Sequence, residues 1–382
     1  MNLEDLKELK DLSAEERAAV MSILEEYSST GESKLFNDIK YLDFDEIPVD
    51  IITFIHDKRY LGNALYDPDG KFTIFPYWEE KLKDIFPDNI STKYNTIILT
   101  GAIGLGKSTI AVICLLYLLY RLLCLRDPYL YYGLQPIDKI SISLMNITLE
   151  NAKGVALDKM NQMLLSSEWF MSHGEMRGET NLNYLPSKHI ELIVASSNNQ
   201  VVGRCLMGNF SDEVNWGLTT DTEKLKKKYK SLISQIDARM KSRFMRTLPD
   251  GSTYLPTLNI IASSKNNEQS FLDSFIQTKK TNESKTTLIV DEPQWVVDSR
   301  KDNKVKFFVA IGNKFLANEL LPLTTTEEDL KLYKQKGYSI LPVPIGYYEN
   351  FQDNLDGSLM DIAGIASQST IKYISGMIWN AI

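Results

Sequence analysis

Apolar residues in this chain form short continuous or alternating runs that are separated by segments with helical spacing. Runs of this length, rich in branched residues, predict buried strands. They occupy residues 96–100, 139–145, 189–195, 258–262 and 287–290. Residues 149–170 have helical spacing, and a long apolar segment from 108 to 125 predicts a helix buried on most sides. This alternation of helices and strands predicts an α/β fold with a mainly parallel sheet flanked by helices.

The pattern also divides the chain into three parts. Residues 1–65 are expected to be a helical lead-in, in which Ser13 and Glu16 form a capping box before a helix that extends to Tyr27. Residues 66–315 carry the alternating strands and helices, and residues 316–382 are expected to form a small lid or linker.

A glycine-rich segment lies between the strand at 96–100 and the long apolar helix. It reads Gly101-Ala-Ile-Gly104-Leu-Gly106-Lys107-Ser108-Thr109 and matches the phosphate-loop pattern G-x-x-x-x-G-K-[ST]. The glycines allow the backbone to approach a phosphate closely, and the N–H groups at the helix start attract anions. Lys107 can reach the β- and γ-phosphates of a nucleotide, and the Ser108 hydroxyl can ligate Mg²⁺. The segment therefore predicts binding of ATP and Mg²⁺.

Composition and charge narrow the class of protein. The chain has 382 residues and a formal net charge of −8, which argues against a passive nucleic-acid coat. Its three cysteines have no metal-site spacing, which favours buried, reduced thiols. The first residues lack the basic and apolar regions of a secretory signal. We therefore expect a cytosolic protein with no membrane partner.

One segment is strongly basic despite the acidic total. Between Lys224 and Arg246 there are nine Lys and Arg residues and one acid, Asp237. Such a segment predicts contact with a polyanion such as double-stranded DNA, and a solvated helix face is the alternative. The candidate DNA-binding residues are Lys226, Lys227, Lys228, Arg239 and Arg243.

Two aromatic residues, Tyr77 and Trp78, precede the phosphate loop by about 25 residues. A flat ring at this position can stack on adenine at little entropic cost. A helix-start hydrophobic staple explains Trp78 almost as well.

Hydrolysis also needs an acid that holds Mg²⁺ and a base that orients water. Two acidic pairs end candidate strands, Asp212-Glu213 and Asp291-Glu292. The run before Asp291 is the more apolar, but chain order favours Asp212 as the Mg²⁺ ligand and Glu213 as the base. A further strand follows Asp212 and ends at Ser263 and Ser264, with Asn266 nearby; these side chains are suited to sensing a γ-phosphate. Asp291 and Glu292 remain the alternative.

Arg204 lies eight residues before Asp212, in a polar stretch. It is a candidate arginine finger, acting on the γ-phosphate of its own or of a neighbouring subunit. A surface salt bridge is the alternative.

Together these residues resemble the ATPase part of the large terminase subunit of tailed bacteriophages, the motor that packages viral DNA. The resemblance extends over residues 50–370 and depends on the order of its motifs. These are Pro76-Tyr77-Trp78, the phosphate loop, the stretch from Asn198 to Trp216, Ser242-Arg243-Phe244, Ile261 to Ser264, and Asp291 to Trp295.

The resemblance implies a RecA-like ATPase of the additional-strand type. It also implies a homo-oligomeric ring on a portal protein, assisted by a small terminase subunit, in the cytoplasm of a bacterial host. Lys107, Ser108, Asp212 and Glu213 would act on ATP and Mg²⁺, Ser263 and Ser264 would couple hydrolysis to movement, and Arg204 would be a finger. Family members also carry a nuclease domain. Only about 40 residues follow Pro344 here, so we expect no nuclease activity in this chain.

Three rival functions remain open at this point. A helicase-like or other DNA-stimulated ATPase would share the phosphate loop, although a second RecA-like repeat is not visible in the sequence. A small-molecule kinase would transfer the γ-phosphate and would have no need of the basic segment. A nucleotide-binding scaffold would bind ATP without hydrolysing it.

Overall fold

The computed structural model describes residues 41–135, 137–145, 156–176, 184–195, 203–212, 222–247, 251–265, 271–282, 284–313 and 315–366, with isolated positions between 13 and 29. In the predicted helix between Ser13 and Tyr27, the described positions 14, 18, 20–22, 25 and 26 are helical, whereas Glu16 and Tyr27 lie outside the described residues. The first half contains helices α1 (Ile51–His56), α2 (Gly62–Leu65), α3 (Pro76–Ile85), α4 (Lys107–Cys124), α5 (Pro128–Tyr132), α6 (Asp158–Ser166) and α7 (Glu168–Ser172). Its strands are β1 (Thr96–Gly101), β2 (Ile140–Met145), β3 (Gly174–Met176), β4 (Tyr184–Pro186) and β5 (Glu191–Ala195).

The second half continues the alternation and then changes to a smaller unit. Its strands are β6 (Cys205–Ser211), β7 (Arg246–Thr247), β8 (Thr253–Tyr254), β9 (Leu258–Ala262), β10 (Thr287–Glu292), β11 (Lys306–Ile311), β12 (Glu319–Leu320) and β13 (Ser339–Pro344). Its helices are α8 (Thr222–Phe244), α9 (Phe271–Thr281), α10 (Gln294–Val297), α11 (Glu327–Gln335), α12 (Tyr348–Asp353) and α13 (Leu355–Asp361).

A six-stranded parallel sheet in the order β10-β1-β9-β6-β2-β5 forms the centre of the molecule. Strand β9 lies between β1 and β6, so one additional strand separates the strand that leads into the phosphate loop from the strand that ends at Asp212. Because all six strands are parallel, their carboxyl ends meet at one edge of the sheet. The fold class predicted from the sequence, a mainly parallel sheet of the additional-strand type flanked by helices, is confirmed.

Helix α4 is the main packing element on one face of this sheet. Sixteen of its residues are buried, including Arg121, whose guanidinium donates to the Ser91 carbonyl at 2.7 Å and to the Thr92 hydroxyl at 2.7 Å. These bonds, together with the Phe86 and Tyr117 rings that face the guanidinium, stabilise a charge inside an otherwise apolar helix. Among the described residues α4 is the one helix long and apolar enough to cross a membrane, and its burial on the sheet accounts for that composition.

The polar interruptions in β6 have a packing origin. A Cβ at Gly208 would lie 3.0 Å from side-chain carbons of Leu115 and Leu118 of α4, so the glycine allows the helix to approach the strand closely. Asn209 points to the opposite face, where it is fully buried and hydrogen-bonded to neighbouring strands. The strand therefore forms although its apolar run is broken.

Helices α8 and α9 cover the other face of the sheet. Apolar residues of α8 at positions 229, 232, 233, 236 and 240 recur at helical spacing and are buried. They pack with Leu272 and Ile276 of α9 and with Ile98 and Ile261 of the sheet. This second core is smaller than the one around α4.

The hydrophobic cores extend across both boundaries predicted for the middle part of the chain, at residues 65/66 and 315/316. Phe54, Ile55 and Leu61, placed in the lead-in, belong to the main core around α4, because α1 and α2 bury their apolar faces there. At the other end, β11 pairs antiparallel with β12 and β13 in a separate three-stranded sheet. That sheet has its own small core with α12 and α13, beginning at Trp295, so the C-terminal unit starts before residue 316.

The three cysteines are all buried and free. Cys114 and Cys124 lie on α4 and Cys205 begins β6. This agrees with the prediction of buried, reduced thiols.

Candidate active site

The glycine-rich segment leaves the carboxyl end of β1 and turns directly into α4. Gly101, Gly104 and Gly106 all have positive φ angles, of 93°, 71° and 81°. A Cβ at Gly101 would lie 2.5 Å from the carbonyl oxygen of Glu292 on the adjacent strand β10. The conformation of the loop therefore depends on glycine, both for its backbone angles and for the close approach of β10.

Helix α4 begins at Lys107, and Gly106 precedes it without any side-chain cap. The first N–H groups of a helix have no partners within the helix and carry the positive end of its dipole. In an 18-residue helix that starts at the end of a glycine loop, this arrangement suits a phosphate group.

Lys107 is nearly fully buried inside the loop, and its amine donates a hydrogen bond to the Ala102 carbonyl. Burial lowers the pKa of Lys107 to about 8, although the nearby carboxylates of Asp212 and Asp291 act in the opposite direction. The amine is thus held where an anion bound in the loop would favour its charged form.

Ser108 and Asp212 come together although they are 104 residues apart in sequence. The Ser108 hydroxyl donates to Oδ2 of Asp212 at 3.1 Å, and the Asp212 N–H is held by the Met145 carbonyl at 2.9 Å. A hydroxyl and a carboxylate at this distance are oxygen ligands of the type that Mg²⁺ prefers. Glu213, the predicted base, directly follows Asp212 but lies outside the described residues.

The second acidic pair has different partners. Oδ2 of Asp291 accepts from the amine of Lys265 at 2.9 Å, and the same amine donates to Oδ1 of Asp273 on α9 at 2.9 Å. Glu292 accepts a long hydrogen bond, 3.4 Å, from the Tyr77 hydroxyl. Both acids lie at the edge of the sheet that carries the phosphate loop, but Asp291 forms an ion pair with a buried lysine.

The predicted coupling residues follow β9, between the two strands that carry the loop and Asp212. Ser263 is buried, and its N–H donates to the Leu99 carbonyl of β1 at 3.1 Å. Ser264 is half-buried, and Asn266 lies outside the described residues. The two serines are therefore at the correct edge of the sheet for the predicted role, which stays a prediction.

The structure does not support an adenine contact by Trp78. Its side chain is only 1% exposed, and its indole Nε1–H donates to the Leu105 carbonyl of the phosphate loop at 2.6 Å. A ring buried under the loop has no free face for a base, so Trp78 supports the loop backbone instead. Tyr77 is half-buried, beside Glu292, and its contact with adenine stays a prediction.

Arg204 lies at the amino end of β6, next to Glu191 at the start of β5, and its guanidinium donates to that carboxylate. Seven strand residues separate it from Asp212, a distance of about 25 Å along the strand. The structure therefore does not bring Arg204 to the loop of its own chain, because it precedes the strand whose far end carries the acid. The salt bridge considered as its alternative is present. A contribution to a neighbouring subunit stays a prediction.

The basic segment forms α8, whose buried side faces the sheet. Lys227, Arg239 and Arg243 are exposed on the outer side of the helix, and the Arg243 guanidinium lies 3.9 Å from Asp138. The side chains of Lys226 and Lys228 lie outside the described residues. These three residues are exposed at different positions along the helix, and their contact with DNA stays a prediction.

Four residues contact the site and were missed in the sequence. Lys159 of α6 donates to the Thr109 hydroxyl at 3.0 Å, and Lys265 pairs with Asp291. The Asp361 carbonyl accepts from the Ile103 N–H at 2.8 Å, and the Gln294 side chain donates to the Ile103 carbonyl at 3.1 Å. Lys265 follows Ser264 directly, and Gln294 lies within the segment from Asp291 to Trp295, so both could have been found by extending those motifs; Lys159 and Asp361 lie outside every motif named above.

Among the residues described, no cluster of three or more His, Cys, Asp or Glu side chains is arranged to hold a metal ion. Any divalent cation here would need oxygen atoms of a bound ligand or water beside Ser108 and Asp212, as is usual for Mg²⁺ at a nucleotide.

The additional-strand sheet, the glycine loop at the end of β1 and the Ser108–Asp212 contact define a P-loop NTPase. Within that class, the chain belongs to the family described as "Uncharacterized protein MJ0330, N-terminal P-loop domain", whose model matches residues 7–199, about half of the chain. No curated protein matches it.

Several solved structures are similar in fold. The large terminase of bacteriophage HK97 has a TM-score of 0.44 and 13% identity, with 82% of this chain and 54% of that chain covered. The large terminase of a thermophilic bacteriophage, in complex with ADP, has a TM-score of 0.33 and 12% identity, with coverages of 63% and 44%. The chain thus spans about half the length of these terminases, and the similarity concerns the fold alone.

Proposed function

We propose that this chain is the ATPase of a DNA-translocating motor of the large-terminase type, which hydrolyses ATP with Mg²⁺ and moves double-stranded viral DNA into a procapsid. The observation that carries the ATPase part is the contact between Ser108 and Asp212 at 3.1 Å. It joins the start of the helix behind the phosphate loop to an acid two strands away, and hydrolytic P-loop enzymes need both groups at the metal.

The residues present fit a nucleotide and its metal. Three glycines with positive φ give the loop its turns, and the Ser108 and Asp212 oxygens would hold Mg²⁺. When bound, this ion would neutralise developing charge on the β- and γ-phosphates. Lys107 would turn from the Ala102 carbonyl towards the phosphates, and Glu213 would accept the proton of the attacking water.

The DNA part of the proposal has separate support. The motif order resembles the terminase ATPase, and helix α8 carries exposed basic side chains, among them Lys227, Arg239 and Arg243. Exposed basic side chains concentrated on one helix of a protein with a net charge of −8 favour local contact with a polyanion.

The partners proposed with this function are a portal protein, a small terminase subunit and further copies of this chain in a ring, in the host cytoplasm. Arg204 would then act on the nucleotide of a neighbouring copy, after release from Glu191.

The experiment is steady-state ATP hydrolysis with and without long duplex DNA over a range of protein concentrations. We expect turnover that rises faster than linearly with protein and that DNA stimulates, because a site completed by a neighbouring copy needs assembly. The double charge reversal Arg239→Glu with Arg243→Glu should remove the stimulation by DNA and keep the basal rate. Reversal of Lys331 and Lys334, exposed on α11 in the C-terminal unit, is the matched control and should change neither.

Linear turnover that is indifferent to DNA would contradict the motor and favour a self-contained P-loop NTPase. Transfer of the γ-phosphate to an added small molecule would favour the kinase. Nucleotide binding without any turnover, with turnover equally absent in Glu213→Gln, would favour the scaffold.

A further inference from the structure

A cleft of about 550 Å³ lies between α8 and α9, over the first residues of β1 and β9. Its volume falls within the range of small-molecule sites. The space exists because Ser234 of α8 and Ser274 and Thr278 of α9, all short side chains, line the walls at this level. Larger apolar side chains, Ile236 of α8 and Leu272 and Ile276 of α9, fill the space between the two helices and the sheet beside the cleft.

The floor of the cleft is polar. Thr96 and Asn259 line it and are paired in register at the start of β1 and β9. Asn259 belongs to a hydrogen-bonded row across the sheet, in which Asn209 donates to Asn259 Oδ1 at 2.9 Å and accepts from Ser143 at 2.7 Å. These bonds fix the Asn259 amide with its oxygen directed into the sheet. A buried polar row that ends at a cavity offers fixed hydrogen-bonding groups to a ligand.

The mouth of the cleft is basic. Lys227 and Lys230 of α8 and Lys279 of α9 line it, with Asp237 as the one acid in the lining. Oδ2 of Asp237 lies 2.8 Å from the Lys241 amine, so its charge is already paired. The surplus of positive charge favours an anionic ligand.

One wall also offers a flat apolar surface. Phe275 and Ile233 line the cleft opposite one another, and the Lys279 amine lies 5.3 Å from the centre of the Phe275 ring. A ring with a cation beside it suits a ligand in which a flat group lies next to an anion.

The cleft is distinct from the phosphate loop. Thr96 begins β1 and Gly101 ends it, so the two sites lie at opposite edges of the sheet, about 17 Å apart along the strand. None of the residues that line the cleft belongs to the loop or to the acids near it.

We propose that the cleft between α8 and α9 binds a small anionic ligand with a flat ring next to its phosphate, the chemistry of a mononucleotide. The phosphate lies among Lys227, Lys230 and Lys279, the ring packs on Phe275, and Thr96 and Asn259 bond to its edge. The proposal goes beyond the motor function and does not depend on it, because none of these groups takes part in hydrolysis.

The test uses the full chain with labelled isoleucine methyl groups and adenosine monophosphate as the probe. The methyl resonance of Ile233 reports the cleft, and that of Ile103 reports the phosphate loop. With the loop first saturated by a non-hydrolysable ATP analogue and Mg²⁺, we expect the probe to shift Ile233 and leave Ile103 unchanged. Adenosine alone and inorganic phosphate alone should each bind at least about tenfold more weakly, because each lacks half of the contacts.

Substitutions in and beside the cleft test whether adenosine monophosphate binds there. Lys279→Glu should weaken the affinity for adenosine monophosphate by about tenfold or more, whereas Lys280→Glu, on the next residue of α9 but outside the lining, should change it less than twofold. Ser234→Trp fills the cleft and should abolish binding; Lys279→Glu keeps the test decisive if the larger side chain prevents folding.

Three results would overturn the proposal. The first is an Ile233 resonance that no concentration of adenosine monophosphate moves. The second is equal weakening by Lys279→Glu and Lys280→Glu. The third is a shift produced by a single-stranded oligonucleotide and not by the mononucleotide, which would assign the cleft to a nucleic-acid strand. Failure of the motor proposal would be seen separately, as DNA-independent hydrolysis with the Ile233 shift intact.

Discussion

Two strands of the central sheet, β6 and β10, lead into acidic residues at the same edge of the sheet, and these acids have different hydrogen-bond partners. Asp212 follows β6, two strands from the phosphate loop, and accepts a hydrogen bond from Ser108. Asp291 ends β10, directly beside the loop strand, and pairs with the buried Lys265. The two acids therefore have different partners because they lie on different strands relative to the strand that leads into the phosphate loop: Asp212 reaches Ser108, and Asp291 reaches Lys265.

The largest expected difference between the two strand ends is in catalysis. Asp212→Asn should lower kcat by about 10²-fold or more, since it removes the charge that we propose holds the metal at the phosphates. Asp291→Asn should lower kcat less than about tenfold, because Asp291 faces Lys265 and not Ser108. Steady-state ATP hydrolysis at saturating nucleotide, with Mg²⁺ varied, measures both. Equal losses in the two variants, or a larger loss in Asp291→Asn, would reverse the assignment.

The next difference is in stability. Lys265 has 8% of its side chain exposed, between Asp273 and Asp291. Burial alone would lower the pKa of Lys265, but the two carboxylates raise it above its ordinary value. Lys265→Met leaves two carboxylates facing each other at a partly buried site, so the free energy of unfolding should fall by about 2 kcal/mol.

Chemical denaturation of Lys265→Met, of Asp291→Asn and of the double variant measures that coupling. The double variant should be less destabilised than the sum of the single ones, because the second change removes an acid left without its cation. Strict additivity would mean that the contact contributes nothing. Such a coupling would identify Asp291 as an acid that stabilises the fold.

A smaller effect concerns Lys107, which lies near both carboxylates. Its pKa is about 8 without nucleotide, and a bound phosphate would raise it, so nucleotide binding takes up a proton above pH 8. The affinity for ATP should therefore fall up to about tenfold per pH unit above pH 8. Asp212 raises the pKa of Lys107 more than Asp291 does, so Asp212→Asn should move the break to lower pH by the larger amount.

Nucleotide titrations between pH 7 and pH 10 check this. Lys107→Arg is the control: a guanidinium stays charged throughout, so its weaker binding should show no break near pH 8. A wild-type affinity that is constant over the whole range would contradict the shifted pKa.

Some elements of the central sheet could be predicted from the sequence, and others could not. Strands β1 and β10 and helix α4 follow from continuous apolar runs, which indicate burial directly. Strand β6 does not, because Gly208 serves the contact with α4 and Asn209 serves a hydrogen-bonded row. Both reasons depend on neighbours far away in sequence.

The positions of some site residues could also be predicted from the sequence, whereas those of others could not. Ser108 and Asp212 could be predicted because strand order and the parallel sheet bring their strand ends to one edge. The position of Arg204 could have been inferred too, since a residue that precedes a strand lies at the opposite edge from one that follows it. The pairing of Lys265 with Asp291 depends on the register between separate elements, which local patterns do not encode.

The smallest effect concerns two adjacent aromatic residues at the start of α3. One contacts the phosphate loop, and the other contacts the end of β10. Trp78 donates to the Leu105 carbonyl of the loop at 2.6 Å, and Tyr77 reaches Glu292 of β10 at 3.4 Å. Trp78→Phe removes a buried hydrogen bond and leaves a carbonyl without its donor, so nucleotide affinity or stability should fall by about 1 kcal/mol. Tyr77→Phe removes a long, half-buried bond and should cost less than about 0.5 kcal/mol. Calorimetric titration with ATP measures the nucleotide affinity of both variants, and denaturant unfolding measures their stability. A larger loss of ATP affinity in Tyr77→Phe than in Trp78→Phe would mean that Tyr77 contributes more to nucleotide binding than the tryptophan under the loop.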